Sequence, residues 1–451
     1  LTAGDRRGGS GGGSMLDLAR RAARIARELG ADEASAGAYR ARNVELSWRD
    51  GKVEKVTEAT TRGVGLDLYV DGRYAAVSTS DLRPEALERF VVESVALARA
   101  LSPDPHRRLP DPELYRGRPE VDLELADPAY PQVDAPTRRR LAEAIEVAAR
   151  AVPGAGQVRS VSTSVSDTQT EAALFHTNGF EGARRATDFW LGAEVAVQDP
   201  DGRRPEEQAA TGSRFFGALE TPEAVGRRAA ERAHARIGAV KGASGLTTMV
   251  VEARAAGRLA GYLLGPMMAG SLQQKRSFLE GKVGQVIGSP LLDLTDDPLI
   301  PRAFGSRTYD GEGIAARPRR MVEGGVLGAY YVDTYYGRKL GLPPTTGRPS
   351  NLTWRAGAKP LATLLSDVGE GVLVTGFLGG NSNGTTGDYS LGVRGFAIRR
   401  GRQAEPIGEM NVSGSHLELW KRLAAVGDDP YPYSALRTPS LVFEGVQLAG
   451  T

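Results

Sequence analysis

Four histidines and no cysteine are spread over 451 residues, and that shortage limits what the chain can do by itself. Without thiols there is no disulfide, no thiolate metal site and no cysteine nucleophile. His106 stands in a Pro/Arg loop, His176 beside Thr177-Asn178-Gly179 at a turn, His234 on a helix, and His416 opens a helix after Ser413-Gly-Ser415. No Gly-x-Ser-x-Gly elbow accompanies any of them, so a Ser-His-Asp site has no sequence support, and all four read as structural or solvated. A zinc site needs at least three converging protein ligands, and four scattered imidazoles reach that number only with carboxylates in an arrangement nothing here suggests. Asp296-Asp297 and Asp310-x-Glu312 read as solvated loop acids. Gly324-Gly-Val-Leu-Gly328 lacks the Lys-Ser/Thr ending of a phosphate loop.

Two neighbouring polar stretches invite more: Gly379-Gly-Asn-Ser-Asn-Gly384 and Thr386-Gly-Asp-Tyr-Ser-Leu-Gly392. Exposed main chain with a few polar side chains is what recognition of an extended peptide by strand addition requires. On that reading Asn381, Asn383, Asp388, Tyr389 and Ser390 line a peptide path. The competing reading is a rigid turn whose Asp caps backbone amides.

These residues must be positioned by an α+β fold. Apolar residues at helical spacing predict a helix over 16–29, stopped by Gly30. Alternating runs predict strands at 34–40, 43–48, 52–58, 63–70 and 73–78, with turns at Asp50-Gly51 and Asp71-Gly72, and a helix follows from Pro84 to about Leu101. The order then repeats: a helix over 136–152, strands near 157–166, 168–177, 184–198 and 207–216, and a helix over 221–237. This gives an N-terminal domain, residues 15–240, of two helix/antiparallel-hairpin/helix halves. A C-terminal domain, residues 245–451, reads as mainly antiparallel β with a few helices. Its strands at 247–251, 371–377, 392–399, 405–412 and 441–448 are separated by Gly-rich turns and belong to a sheet curved or folded over on itself. Within it, 309–351 reads as a strand, a Gly324-Gly325 turn and a second strand through Val326, Ala329 and Tyr331. Residues 1–14, which end in a Gly/Ser spacer before Met15, read as an engineered tag or a tethered peptide.

Charge is almost balanced, with 57 basic and 55 acidic residues, so no strong field for nucleic acid or anionic membrane arises. No apolar run approaches the roughly 20 residues that span a bilayer, and no charged n-region followed by an apolar h-region opens the sequence; a soluble cytoplasmic protein is expected.

The blocks Tyr309-Asp-Gly-Glu-Gly-Ile314, Met321-Val-Glu-Gly-Gly-Val-Leu-Gly328 and Tyr335-Tyr-Gly-Arg-Lys-Leu-Gly-Leu342, with Thr386–Gly392 and Gly395-Phe396, resemble the TldD/PmbA family, and within it the TldE (PmbA) branch. The resemblance covers most of residues 15–451. It implies one subunit of a heterodimeric zinc-dependent protease in which the TldD subunit carries the metal. In the TldD branch a helix bears His-Glu-x-x-x-His, two zinc ligands around a general base. Here the matching stretch, Arg258 to Gly270, has Ala260, Gly261 and Gly265 at the degenerate metal-helix positions, and Leu436-Arg-Thr-Pro-Ser440 stands where TldD has a cysteine ligand. The resemblance therefore implies no cofactor in this chain, zinc in a TldD-like partner, and an unfolded or leader peptide as substrate, with no nucleic acid or membrane partner. Two alternatives stay open: a self-sufficient hydrolase, and a non-enzymatic regulator of a DNA gyrase-related system.

Overall fold

The computed structural model describes residues 14–154 and 157–450, so the proposed tag or peptide at 1–14 lies, but for Ser14, outside the described residues. The first half contains α1 (Met15–Glu28), β1 (Glu33–Arg49), β2 (Lys52–Val70), β3 (Arg73–Thr79), α2 (Pro84–Ala100), α3 (Ala135–Arg150), β4 (Val158–His176), β5 (Glu181–Val197), β6 (Glu206–Ser213) and α4 (Pro222–His234). Its six strands form one sheet in the order β3-β2-β1-β4-β5-β6. Where the sequence suggested pairs of short strands, the chain makes three long ones: 34–40 and 43–48 fuse into β1, 52–58 and 63–70 into β2, and 157–166 and 168–177 into β4. Polar residues such as Arg42 and Arg62 interrupt the apolar alternation, but they do not stop a ladder whose backbone partners continue past them.

By internal contact density the chain divides into two compact units. One consists of the residues up to Arg42, with Ala59–Arg116 and Gln169–Ala186; the other of Asn43–Glu58, Gly117–Thr168 and Thr187 onward. In the first unit α1 starts on a capping box, Ser14 and Asp17 satisfying each other's backbone amides. It buries a face of alanines (Ala19, Ala22, Ala23, Ala26) with Leu87, Val91 and Val95 of α2 and Leu66, Leu68 and Val70 of β2. In the second unit α3 and α4 pack together over Val161, Leu191 and Val195. A Cβ at Gly226 would sit 2.0 Å from the Ile145 carbonyl, so the close helix crossing demands glycine there.

The second half of the chain begins with β7 (Gly245–Val251), α5 (Ala253–Met267) and α6 (Ala269–Gln273). Short strands β8 (Leu294–Asp296), β9 (Arg319–Glu323) and β10 (Val326–Leu327), helix α7 (Thr334–Leu340), β11 (Leu352–Trp354) and α8 (Leu361–Val368) follow. The chain then forms β12 (Gly371–Ser382), β13 (Asp388–Arg399), β14 (Arg402–Ser415), α9 (His416–Lys421), β15 (Leu423–Val426), β16 (Leu436–Arg437) and β17 (Leu441–Ala449). The sheet runs β14-β13-β12-β7-β17-β15, and β14 also pairs with β17, Asn411 opposite Ala449 and Val412 opposite Leu448. It thus folds round on itself as the glycine pattern implied, with one parallel pair, β12 with β7. Met249, Val251, Val374, Leu391 and Phe443 share a core with the buried face of α5.

The stretch 309–351 differs from its expected hairpin. Only β9 and the two-residue β10 pair across Gly324-Gly325, residues 309–314 form a turn held by one isolated bridge, and Tyr335–Leu340 lies in α7. Gly324 and Gly325 supply the left-handed turn, φ 54 and 82, but the buried Tyr330 and Tyr331 leave the ladder to join the core. Among the described residues no helix is long and apolar enough to cross a membrane.

Candidate functional site

Helix α5 begins directly after β7 and buries Ala256, Leu259, Ala260, Leu263 and Met267. Ala260 has no exposed surface, Gly261 is half-buried and Gly265 is exposed, and a Cβ on either glycine would meet nothing within 4 Å. The two glycines thus leave bare backbone beside open space, while Ala260 is packed into the core. Among the described residues no three His, Asp or Glu side chains are grouped so as to hold a metal ion. The donor set beside α5 does not fit zinc, since the one imidazole there, His416, already spends its Nε2 on Ser382.

His416 is the residue that sequence reading undervalued. It stands 34 positions from Ser382, and no motif links the two; only the β12-β13 hairpin and the turn into α9 bring them together. Its ring has no exposed surface and is boxed by Tyr389, Tyr262 and Phe278, at centroid distances of 4.8, 5.4 and 5.8 Å. Nε2 lies 2.8 Å from Ser382 Oγ, and Nδ1 has no hydrogen-bond partner among the described residues. Burial pushes the imidazole down to about 4, so it is neutral at physiological pH.

The five residues singled out around this hairpin divide. Asn381 is exposed on β12, so the expected flexible loop shortens to 383–387. Asn383 accepts from the Thr385 and Thr386 amides and Asp388 from the Thr386 hydroxyl, so both side chains brace the turn. Ser390 is exposed and bonds Asn411. Tyr389 is only 6% exposed and packs on His416, which places it behind the hairpin, supporting it. Gly387 has φ +84, and a Cβ there would press on the Phe278 ring at 3.2 Å; the turn requires glycine.

Alongside, β12 past Val374 has an edge without a strand partner among the described residues. β7 pairs with it only from Val372 to Val374, and beyond that α5 takes over: Arg254 donates to the Thr375 carbonyl and Arg258 to the Phe377 carbonyl, both at 3.1 Å.

The acids read as solvated are a second surprise. Asp296 and Asp310 are 4% and 6% exposed. Asp310 Oδ1 accepts from the amides of Glu312 and Ile314 at 2.9 and 3.0 Å, while Glu312 accepts from both the amide and the hydroxyl of Thr334, at the start of α7. Desolvation above all, with Asp310 and Asp333 adding repulsion, pushes Glu312 up to about 7. Here packing turns a loop tripeptide into a clamp with Asp310 buried and Glu312 half-buried, because its oxygens serve backbone amides and the Thr334 hydroxyl.

Comparison with known proteins follows this geometry. Family models described as PmbA/TldA metallopeptidase domain 1, central domain and C-terminal domain match residues 34–98, 128–237 and 244–450. The chain is 28% identical to Metalloprotease PmbA of Escherichia coli O157:H7, over 93% of this chain and 92% of that one. Its fold superposes on a proposed modulator of DNA gyrase from Bacteroides thetaiotaomicron VPI-5482 with a TM-score of 0.93 and 36% identity, covering 96% and 98% of the two chains. TldE from Thermococcus kodakarensis shares the fold at a TM-score of 0.83 and 20% identity, covering 96% and 100%. With its sequence blocks and its three matched domains in agreement, the chain belongs to the PmbA/TldD metallopeptidase family.

Proposed function

We propose that this chain is the metal-free subunit of a two-subunit peptidase, paired with a TldD-like subunit that holds zinc and the general base. The observation that carries this reading is α5: Ala260, Gly261 and Gly265 occupy positions where a metal-bearing relative needs imidazole and carboxylate, and the space beside the two glycines is open. A helix that has no ligands but keeps a bare face and an adjoining strand edge is suited to line a chamber. In that role the chain restricts entry to unfolded or leader peptides, since a confined site excludes folded proteins by size. The edge of β12 past Val374 and the hairpin 383–387 form the part of the wall that meets the peptide main chain.

The test is to co-purify the chain with a TldD-like protein and to measure zinc per subunit and cleavage of an unstructured peptide. Each protein alone is expected to be inactive and the pair active, with zinc only in the partner. Turnover by this chain alone, or zinc bound to it stoichiometrically, defeats the proposal.

A further inference from the structure

The open edge of β12 ends on a hydroxyl held in one orientation. From Gly376 to Ser382 the strand pairs with β13 on one side, with a bulge at Leu378-Gly379, and among the described residues has no strand on the other. The first two stations of that free side are closed by Arg254 and Arg258. Past Phe377 come Leu378, 46% exposed, then Gly379 and Gly380 with φ 122 and 104, and then Ser382 over the buried His416.

The imidazole fixes what that serine can do. A neutral ring has one N–H and one bare lone pair. Nδ1 has no partner among the described residues, and a buried N–H left unpaired is the rarer and costlier arrangement. The proton therefore belongs on Nε2, which donates across the 2.8 Å contact to Ser382 Oγ. Three aromatic rings hold the imidazole in place, so the serine oxygen is fixed as an acceptor and its own proton must leave on another side. No described residue accepts it, and Ser382 is half-exposed.

We infer that Ser382, oriented by His416, donates a hydrogen bond to a main-chain carbonyl of an extended peptide lying along the Leu378–Ser382 edge of β12. An uncharged donor at the end of a free strand edge matches a peptide carbonyl and gives no preference among side chains. His416 acts as a positioning residue. The inference rests on the chain lining a peptide chamber, and it names the atom through which the wall holds substrate.

The probe is a fluorescein-labelled, unstructured, uncharged decapeptide, followed by anisotropy on the full chain alone and on its complex with a TldD-like subunit. Ser382→Ala is expected to raise the dissociation constant about five-fold and Ser382→Thr less than about two-fold, in line with one neutral hydrogen bond. In the complex, KM for cleavage rises by the same factor while kcat holds. Nitrogen-15 NMR of the histidine ring is expected to show the neutral Nε2–H tautomer from pH 6 to 8. Unchanged peptide binding by Ser382→Ala, an Nδ1–H tautomer, or covalent capture of Ser382 by a fluorophosphonate each overturns the inference, and the first does so while leaving the subunit reading intact. Ser382-dependent binding with no cleavage by the pair would instead sink the subunit reading and keep the inference.

Discussion

Two buried polar sites in the C-terminal half are built on opposite plans. At the Tyr309–Ile314 turn, carboxylates are sunk among donors: Asp310 serves two amides, and Glu312 serves both polar groups of Thr334. At the β12-β13 hairpin, one imidazole is sunk among aromatic rings with a single side-chain bond, to Ser382. Desolvation favours the neutral form in both, which raises a carboxyl and lowers an imidazole. The difference teaches which site is spent on the fold. The carboxylate turn spends Asp310 Oδ1 and both Glu312 oxygens on donors of its own chain, whereas the imidazole leaves the serine above it with a proton to give.

The strongest way to break this contrast is Asp310→Ala. It strands two amides in a buried turn, and unfolding in urea should show a loss of about 3 kcal/mol, with Asp310→Asn keeping most of it by retaining one acceptor. An Asp310→Ala loss below about 1 kcal/mol would mean the turn is not a clamp.

Next in size is the acid limb of stability, set by His416. Its folded pKa lies near 4, below the ordinary 6.5, so its contribution is complete above pH 6.5 and is lost as pH falls through 4, up to about 3 kcal/mol. His416→Phe, which fits the aromatic box, should flatten that limb in urea titrations at pH 4, 5.5 and 8. A parallel loss in both proteins removes the claim that the ring is buried neutral.

Glu312 works in the other direction. Its folded pKa, near 7, is above the ordinary 4.5, so its contribution is complete below pH 4.5 and is lost as pH rises through 7, by about 2 kcal/mol after allowance for partial solvent screening. Glu312→Gln should therefore narrow the stability gap between pH 5 and pH 8 in the same titrations, and an identical gap would show the carboxyl to be solvated after all.

The smallest effect concerns the bare helix face that adjoins the imidazole site. Gly261→Ala has room for its methyl and should stabilise the fold by about 0.5–1 kcal/mol through helix propensity, seen as a raised melting temperature. Peptide cleavage by the assembled pair should slow, because the methyl enters the space the substrate needs. Faster or unchanged cleavage would free that face of any role toward peptide.

Much of the fold was legible beforehand. The Asp50-Gly51, Asp71-Gly72 and Asn178-Gly179 turns and the helical periodicity of α1 to α4 rest on local sterics and spacing, which act within a few residues. The shortage of metal donors was equally plain, since it depends on which residues exist. Strand lengths were misjudged because a ladder's continuity depends on its partner, as β1, β2 and β4 show. At the candidate site the sequence offered Asn381, Asn383, Asp388, Tyr389 and Ser390 as one group, but only coordinates separate the exposed Asn381 and Ser390 from the turn-bracing Asn383 and Asp388 and the buried Tyr389.

What the sequence determined by itself, then, is the inventory: no thiol, four imidazoles and the punctuation of the strands. The tertiary structure alone decided that Asp310 is buried and Glu312 half-buried while looking like loop acids, and that His416 meets Ser382 across 34 residues. Burial and long-range contact are properties of how elements pack, and a neighbour's side chain supplies the dielectric and the hydrogen-bond partner that a residue's own sequence context does not.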